Sequence, residues 1–203
     1  LTFHDWAWDE AEAAFRKSLA LNPGYSVGHQ WYGELLAIRR RIDEAEAQFR
    51  RARELDPLAD IILIMHGIAL YIGGRAEEAT ALLEEAIAMD TRNENAFCWL
   101  GFLQLEKGKP EEALENMKRG REISGNSVFS TVMHGHACAL AGDMAGLDKI
   151  AAEIEQRAKT EYVSPALRCV LAFDRGERER AYQWLKEAIR CHNSEAMIMS
   201  VVP

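Results

Sequence analysis

Glycine returns in this 203-residue chain at a fixed interval. Gly33, Gly67, Gly101 and Gly135 are each 34 residues apart, and so are Gly74, Gly108, Gly142 and Gly176. Ala11, Ala45, Ala79 and Ala113 keep the same step; Leu147 takes the next place and Ala181 the one after. A bulky column runs Phe15, Phe49, Leu83, Met117, Ala151, Leu185, and a small one Ser18, Ala52, Ala86, Gly120, Ile154, Ala188. A period of this size means stacked supersecondary units, none of which buries its apolar face alone.

Each unit reads as a helix pair. Val27 to Arg39 and Asp43 to Leu55 both carry helical apolar spacing. The glycine at the turn is the residue expected just past a helix end, where positive φ is needed. Pro110 suits a first helical turn, and Asn22-Pro23 and Asp56-Pro57 end the second helix of a pair. The mid-helix Gly33 column costs about 1 kcal/mol per residue in helix propensity. That cost makes sense where the second helix must come close. The predicted fold class is all-α, a right-handed α-solenoid of antiparallel helix pairs. The predicted organisation is a single array over 1–203. It has a partial repeat at 1–25, full repeats at 26–59, 60–93, 94–127, 128–161 and 162–195, and the start of a further segment at 196–203. The chain has no initiating Met and reads as a piece of something longer.

Apolar residues make up 48% and net charge is −8. This balance fits a folded domain and argues against nucleic-acid binding, which needs clustered cations. The apolar run from Ile61 to Ile72 is broken by His66 and Gly67 and is too short to span a bilayer. Cys98, Cys138, Cys169 and Cys191 form no Cys-x-x-Cys pair and fit a reducing compartment. The expected location is cytoplasmic, or periplasmic if the parent protein carries a membrane anchor.

The spacing resembles the tetratricopeptide repeat (TPR), through Tyr32-Gly33, Leu100-Gly101, Ala45…Phe49 and Pro57. His66 and His134 replace the residue before the glycine, Cys169 replaces the fifth glycine and Leu147 an alanine, so the last two units should pack less regularly. His4 to Glu12, Leu55-Asp56-Pro57-Leu58 and Tyr162-Val163-Ser164-Pro165 resemble the C-terminal repeat regions of bacterial winged-helix regulators, class III adenylate cyclases and Ser/Thr kinases. That resemblance implies a regulatory module whose effector domain lies elsewhere in a parent chain.

In such a solenoid the first helix of each pair lines the concave side. The expected partner-binding residues are Ile61, Ile64, Ile68 and Tyr71, then Cys98, Phe102 and Leu105, then Val132 and His136. Phe129, Val163, Ala166, Val170 and Phe173 continue the face. The helix from Ile61 to Ile72 is apolar almost all round, so either a partner covers its open side or the chain does. Family members that clamp a peptide's terminal carboxylate do so with Lys, Arg and Asn. The corresponding places here hold Gln30, Glu34, Ile64, Ile68, Cys98 and Phe102, with no cation.

Other signals carry less. His134, His136 and Cys138 look like metal ligands, but His134 and Cys138 fall in packing columns; no metal or cofactor is expected. Arg39-Arg40-Arg41 reads as a solvated turn offset by Asp43, Glu44 and Glu46. Trp6 and Trp8 cap the stack or mediate a dimer contact. No paired acid and base, phosphate loop or nucleophile motif appears, so an enzyme is not expected. The expected function is a non-catalytic module that binds a protein or peptide with an apolar or amphipathic segment. The alternatives are a homodimerisation or scaffold element, and a small-molecule sensor closing near Tyr71 and His136.

Overall fold

The computed structural model describes residues 7–193. Trp6, and the further segment expected at 196–203, lie outside them. Eleven α-helices and no strand occur among the described residues. They are α1 (Trp8–Leu21), α2 (Ser26–Ile38), α3 (Ile42–Leu55), α4 (Asp60–Ile72), α5 (Ala76–Met89), α6 (Glu94–Glu106), α7 (Pro110–Ile123), α8 (Val128–Leu140), α9 (Met144–Arg157), α10 (Pro165–Asp174) and α11 (Arg178–Arg190). The chain divides into two compact units, with the division between Thr91 and Arg92.

The first helix of a pair is called A and the second B; α1 is a B helix. The B helices are rich in Ala and Glu, with Asp or Glu in the first turn of α3, α5 and α7, where the helix dipole favours negative charge. Pro110 stands at the start of α7, where its missing N–H is not needed. Asn93, Ser127 and Asp143 cap α6, α8 and α9 with their side chains.

The A-to-B turn is a Schellman cap. After α4, the Gly74 N–H donates to the Tyr71 carbonyl and the Arg75 N–H to the Leu70 carbonyl, both at 2.9 Å. Gly74 has φ +78°, as the motif requires. The first pair breaks the rule: Arg40 takes the glycine's place at φ 61°. Its Nη1 donates to the Ile72 carbonyl at 3.1 Å, which supplies a partner to the end of α4.

Close helix approach is visible at the glycine column. A Cβ on Gly33 would lie 2.9 Å from the Phe49 ring, and one on Gly101 2.8 Å from Met117 Cγ. The bulky column also reaches the next unit, since the Phe49 ring stacks on His66 at 5.4 Å and 12°. In the fifth unit the residue beside the glycine is off the column. Gly135 faces Ile150, 2.9 Å from a built Cβ, and not the column residue Ala151. A methyl at 151 cannot fill the space, so the branched neighbour does.

The last A helix also departs from expectation. α10 has 10 residues where the other A helices have 13. Pro165 forces Ser164 into extended backbone at φ −53° and ψ 133°, so Val163 and Ser164 precede the helix and are buried in the connection.

Candidate functional site

In the first unit the relevant face belongs to α2 and α4. Ile64 is 0% exposed, Tyr71 2% and Ile68 8%, while Ile61 is half-buried. α4 packs against α2, α3 and α5, so most of its apolar surface is core. On α2, Val27, Gln30, Glu34 and Ile38 share one face by helical spacing. Val27 is exposed and Ile38 half-buried. Gln30 is buried and its Nε2 donates to Glu34 Oε1 at 3.0 Å. Burial pushes the Glu34 carboxyl above its ordinary range, and the Gln30 bond opposes this without cancelling it.

In the second unit the A helices are α6, α8 and α10, and α8 packs against both others. Cys98 and Val132 are buried, at 2% and 0% exposure. Phe102, Leu105 and His136 remain half-buried. The Phe102 ring stacks on His136 at 5.4 Å and 19°. His136 Nδ1 lies 2.9 and 3.0 Å from the two oxygens of Asp174, whose side chain is 4% exposed. A carboxylate only accepts, so Nδ1 carries the proton, and among the described residues Nε2 makes no hydrogen bond. Leu140 and Phe173, on the same helices, are largely exposed.

So four of the nine sequence-derived residues keep accessible surface: Ile61, Phe102, Leu105 and His136. The structure brings Phe102 and His136 together and adds Asp174, which sequence reasoning missed. The signal existed as a column one place beyond Phe173, but His136 and Asp174 are 38 residues apart, off the 34-residue step.

The arginine turn is not simply solvated. Arg39 and Arg41 both donate to Glu12, at 2.9 and 2.7 Å, and Arg16 joins them at 2.7 Å. The Arg41 bond, followed by further contributions from Tyr32 and Arg16, holds the Glu12 carboxyl below its ordinary range against the opposing effect of burial. Asp43 is not a partner in these bonds, and Glu46 instead binds Arg50 and Arg75. Trp8 packs against the core of the first unit.

The rejected metal candidates point to different places. His136 binds Asp174, whereas His134 is partly buried with Nδ1 lacking a partner. Burial pushes the Cys98 thiol up to about 12, so it is a poor nucleophile. A small cleft between α9, α10 and α11 is lined by Arg168, Arg175 and Arg180. Those arginines are ion-paired with Glu155, Asp148 and Glu177, and Arg168 lies 3.7 Å over the Trp184 ring. No described helix is long and apolar enough to cross a membrane.

Residues 7–60 and 33–95 match the family profile of the tetratricopeptide repeat. No curated protein sequence matches significantly. Among solved structures, the chain is similar to YrrB, described as a TPR protein with an unusual peptide-binding site, at 21% identity and a TM-score of 0.55, over 92% of this chain and 96% of that one. It is also similar to PilW, a type IV pilus biogenesis factor, at 18% identity and a TM-score of 0.67, over 97% and 91%. PilF from Pseudomonas aeruginosa is 19% identical with a TM-score of 0.63, over 95% and 88%. At these identities the likeness establishes the fold. The described residues have the helix-pair α-solenoid fold of these structures, and the profile match over residues 7–95 supports the tetratricopeptide repeat family.

Proposed function

We propose that this chain is a non-catalytic module that binds an apolar or amphipathic segment of another protein on the open faces of its A helices. One observation carries the reading. On α6, α8 and α10, Leu140 and Phe173 are exposed and Phe102, stacked on His136, is half-buried, so apolar surface remains accessible on these A helices beside a histidine. An apolar surface with a few fixed polar groups suits peptide recognition. YrrB, a TPR protein described as having a peptide-binding site, supports the same reading. The short motifs that resemble bacterial signalling proteins lead us to place the module in the regulatory part of such a protein, and the four free thiols to place it in the cytoplasm.

The test uses peptides selected from a random dodecapeptide library on the full chain. Phe102→Asp and Leu105→Asp should weaken their binding at least ~10-fold while circular dichroism stays unchanged, because each puts a charge on an apolar contact surface. Selected peptides that bind these folded variants as tightly as the parent refute the reading.

A second reading, self-association, is favoured by α11, where Tyr182, Leu185 and Ile189 form an exposed stripe at helical spacing. Light scattering decides it: a monomer at high concentration removes it.

A further inference from the structure

Among the described residues, Glu34 is an acid that pairs with no cation. It sits on the A-helix face of the first unit, between Val27 and Ile38 on α2 and one period before Ile68 on α4. Its described polar partner is the neutral amide of Gln30. The three arginines that follow it in sequence point elsewhere: Arg39 and Arg41 bind Glu12, and Arg40 binds the Ile72 carbonyl. His29, on α2, binds Gln48 and the Pro23 carbonyl.

A half-buried carboxylate in apolar surroundings gains most from an opposite charge brought by a partner, because the desolvation cost is already present and the pairing is poorly screened. We propose that Glu34 receives a cationic side chain, Lys or Arg, of an apolar peptide seated on the A-helix face of the first unit. The net charge of −8 favours the approach of such a cation. This inference rests on the peptide-binding reading and adds the chemistry of the ligand.

The experiment selects the dodecapeptide library on the full chain and, in parallel, on Glu34→Gln. The amide keeps the shape of the side chain and a bond to Gln30, and circular dichroism confirms the fold. Peptides from the parent chain should share a Lys or Arg flanked by apolar residues. Their affinity, by calorimetry, should fall about 10- to 100-fold on Glu34→Gln, as for loss of a charged hydrogen bond. Replacing that Lys or Arg by norleucine should weaken binding to the parent chain by a similar factor and leave binding to Glu34→Gln unchanged. The measurement on the parent chain is independent of how the variant folds. Selected peptides that are indifferent to Glu34→Gln and to norleucine, yet sensitive to Phe102→Asp, overturn this inference and leave the broader reading standing. Failure to select any peptide sensitive to either residue overturns both.

Discussion

Pairing of glycine with a bulky residue across the four helix pairs from α2 to α9 predicts a specific non-additivity. Phe49 is 0% exposed, fills the space beside Gly33 and stacks on His66. Phe49→Ala should cost ~3–5 kcal/mol, the range for emptying a buried aromatic site. Gly33→Ala gains ~1 kcal/mol of helix propensity. It also places a methyl 2.9 Å from the Phe49 ring. Overpacking of that kind costs about 1–3 kcal/mol, so the single variant should be neutral to destabilising by up to ~2 kcal/mol. With Phe49 truncated the clash disappears and the new methyl occupies part of the void. The double variant should therefore be more stable than the sum of the singles by ~1–3 kcal/mol. Urea unfolding followed by far-ultraviolet circular dichroism measures all four corners of the cycle. Additivity within about 0.5 kcal/mol would refute the proposed pairing.

Three further outcomes follow from the same geometry. Burial holds His66 at about 4 against an ordinary 6.5, so it favours the neutral ring. The associated stability is full above about 6.5 and falls by roughly 3 kcal/mol as pH drops to about 4. His66→Leu, which copies Leu100, should flatten that part of the pH–stability curve, and an unchanged slope would contradict the assignment. The depressed carboxyl of Glu12 contributes stability that is complete above the ordinary carboxylate range and lost as pH falls through its folded value. Glu12→Gln should lower Tm at neutral pH and converge with the parent in acid; a constant difference would mean that charge is not the cause. Gly74→Ala should cost ~1–2 kcal/mol in thermal unfolding, through left-handed backbone alone. Nothing lies within 4 Å of the built Cβ, so a neutral result would refute the need for positive φ there.

The helix boundaries were readable because the period is written in small residues. Gly33, Gly67 and Gly101 mark close approach, and Gly74 and its equivalents mark the turns. Arg40 was not readable as a turn residue, because it meets the same backbone demand with the wrong side chain and binds the Ile72 carbonyl. Ile150 was hidden for another reason: column matching fixes the register and cannot see a neighbour replacing Ala151.

Helical spacing told which side Ile64 and Val132 lie on, but their exposure depends on neighbouring helices. α8 is enclosed by α6, α7, α9 and α10, and Val132 is 0% exposed. Phe102 stays half-buried, and Leu140 and Phe173 are exposed. The His136–Asp174 bond joins residues one period and one helical turn apart, which no single periodicity reveals.

The most direct measurement is a nuclear magnetic resonance titration of the isotopically labelled chain with a peptide selected on it. Amide and ring shifts should move on the A helices, at Phe102, Leu105, His136 and Phe173 in the second unit, and stay fixed along the exposed sides of α7 and α9. Shifts confined to α7 and α9, with the A-helix residues unmoved, would contradict the account.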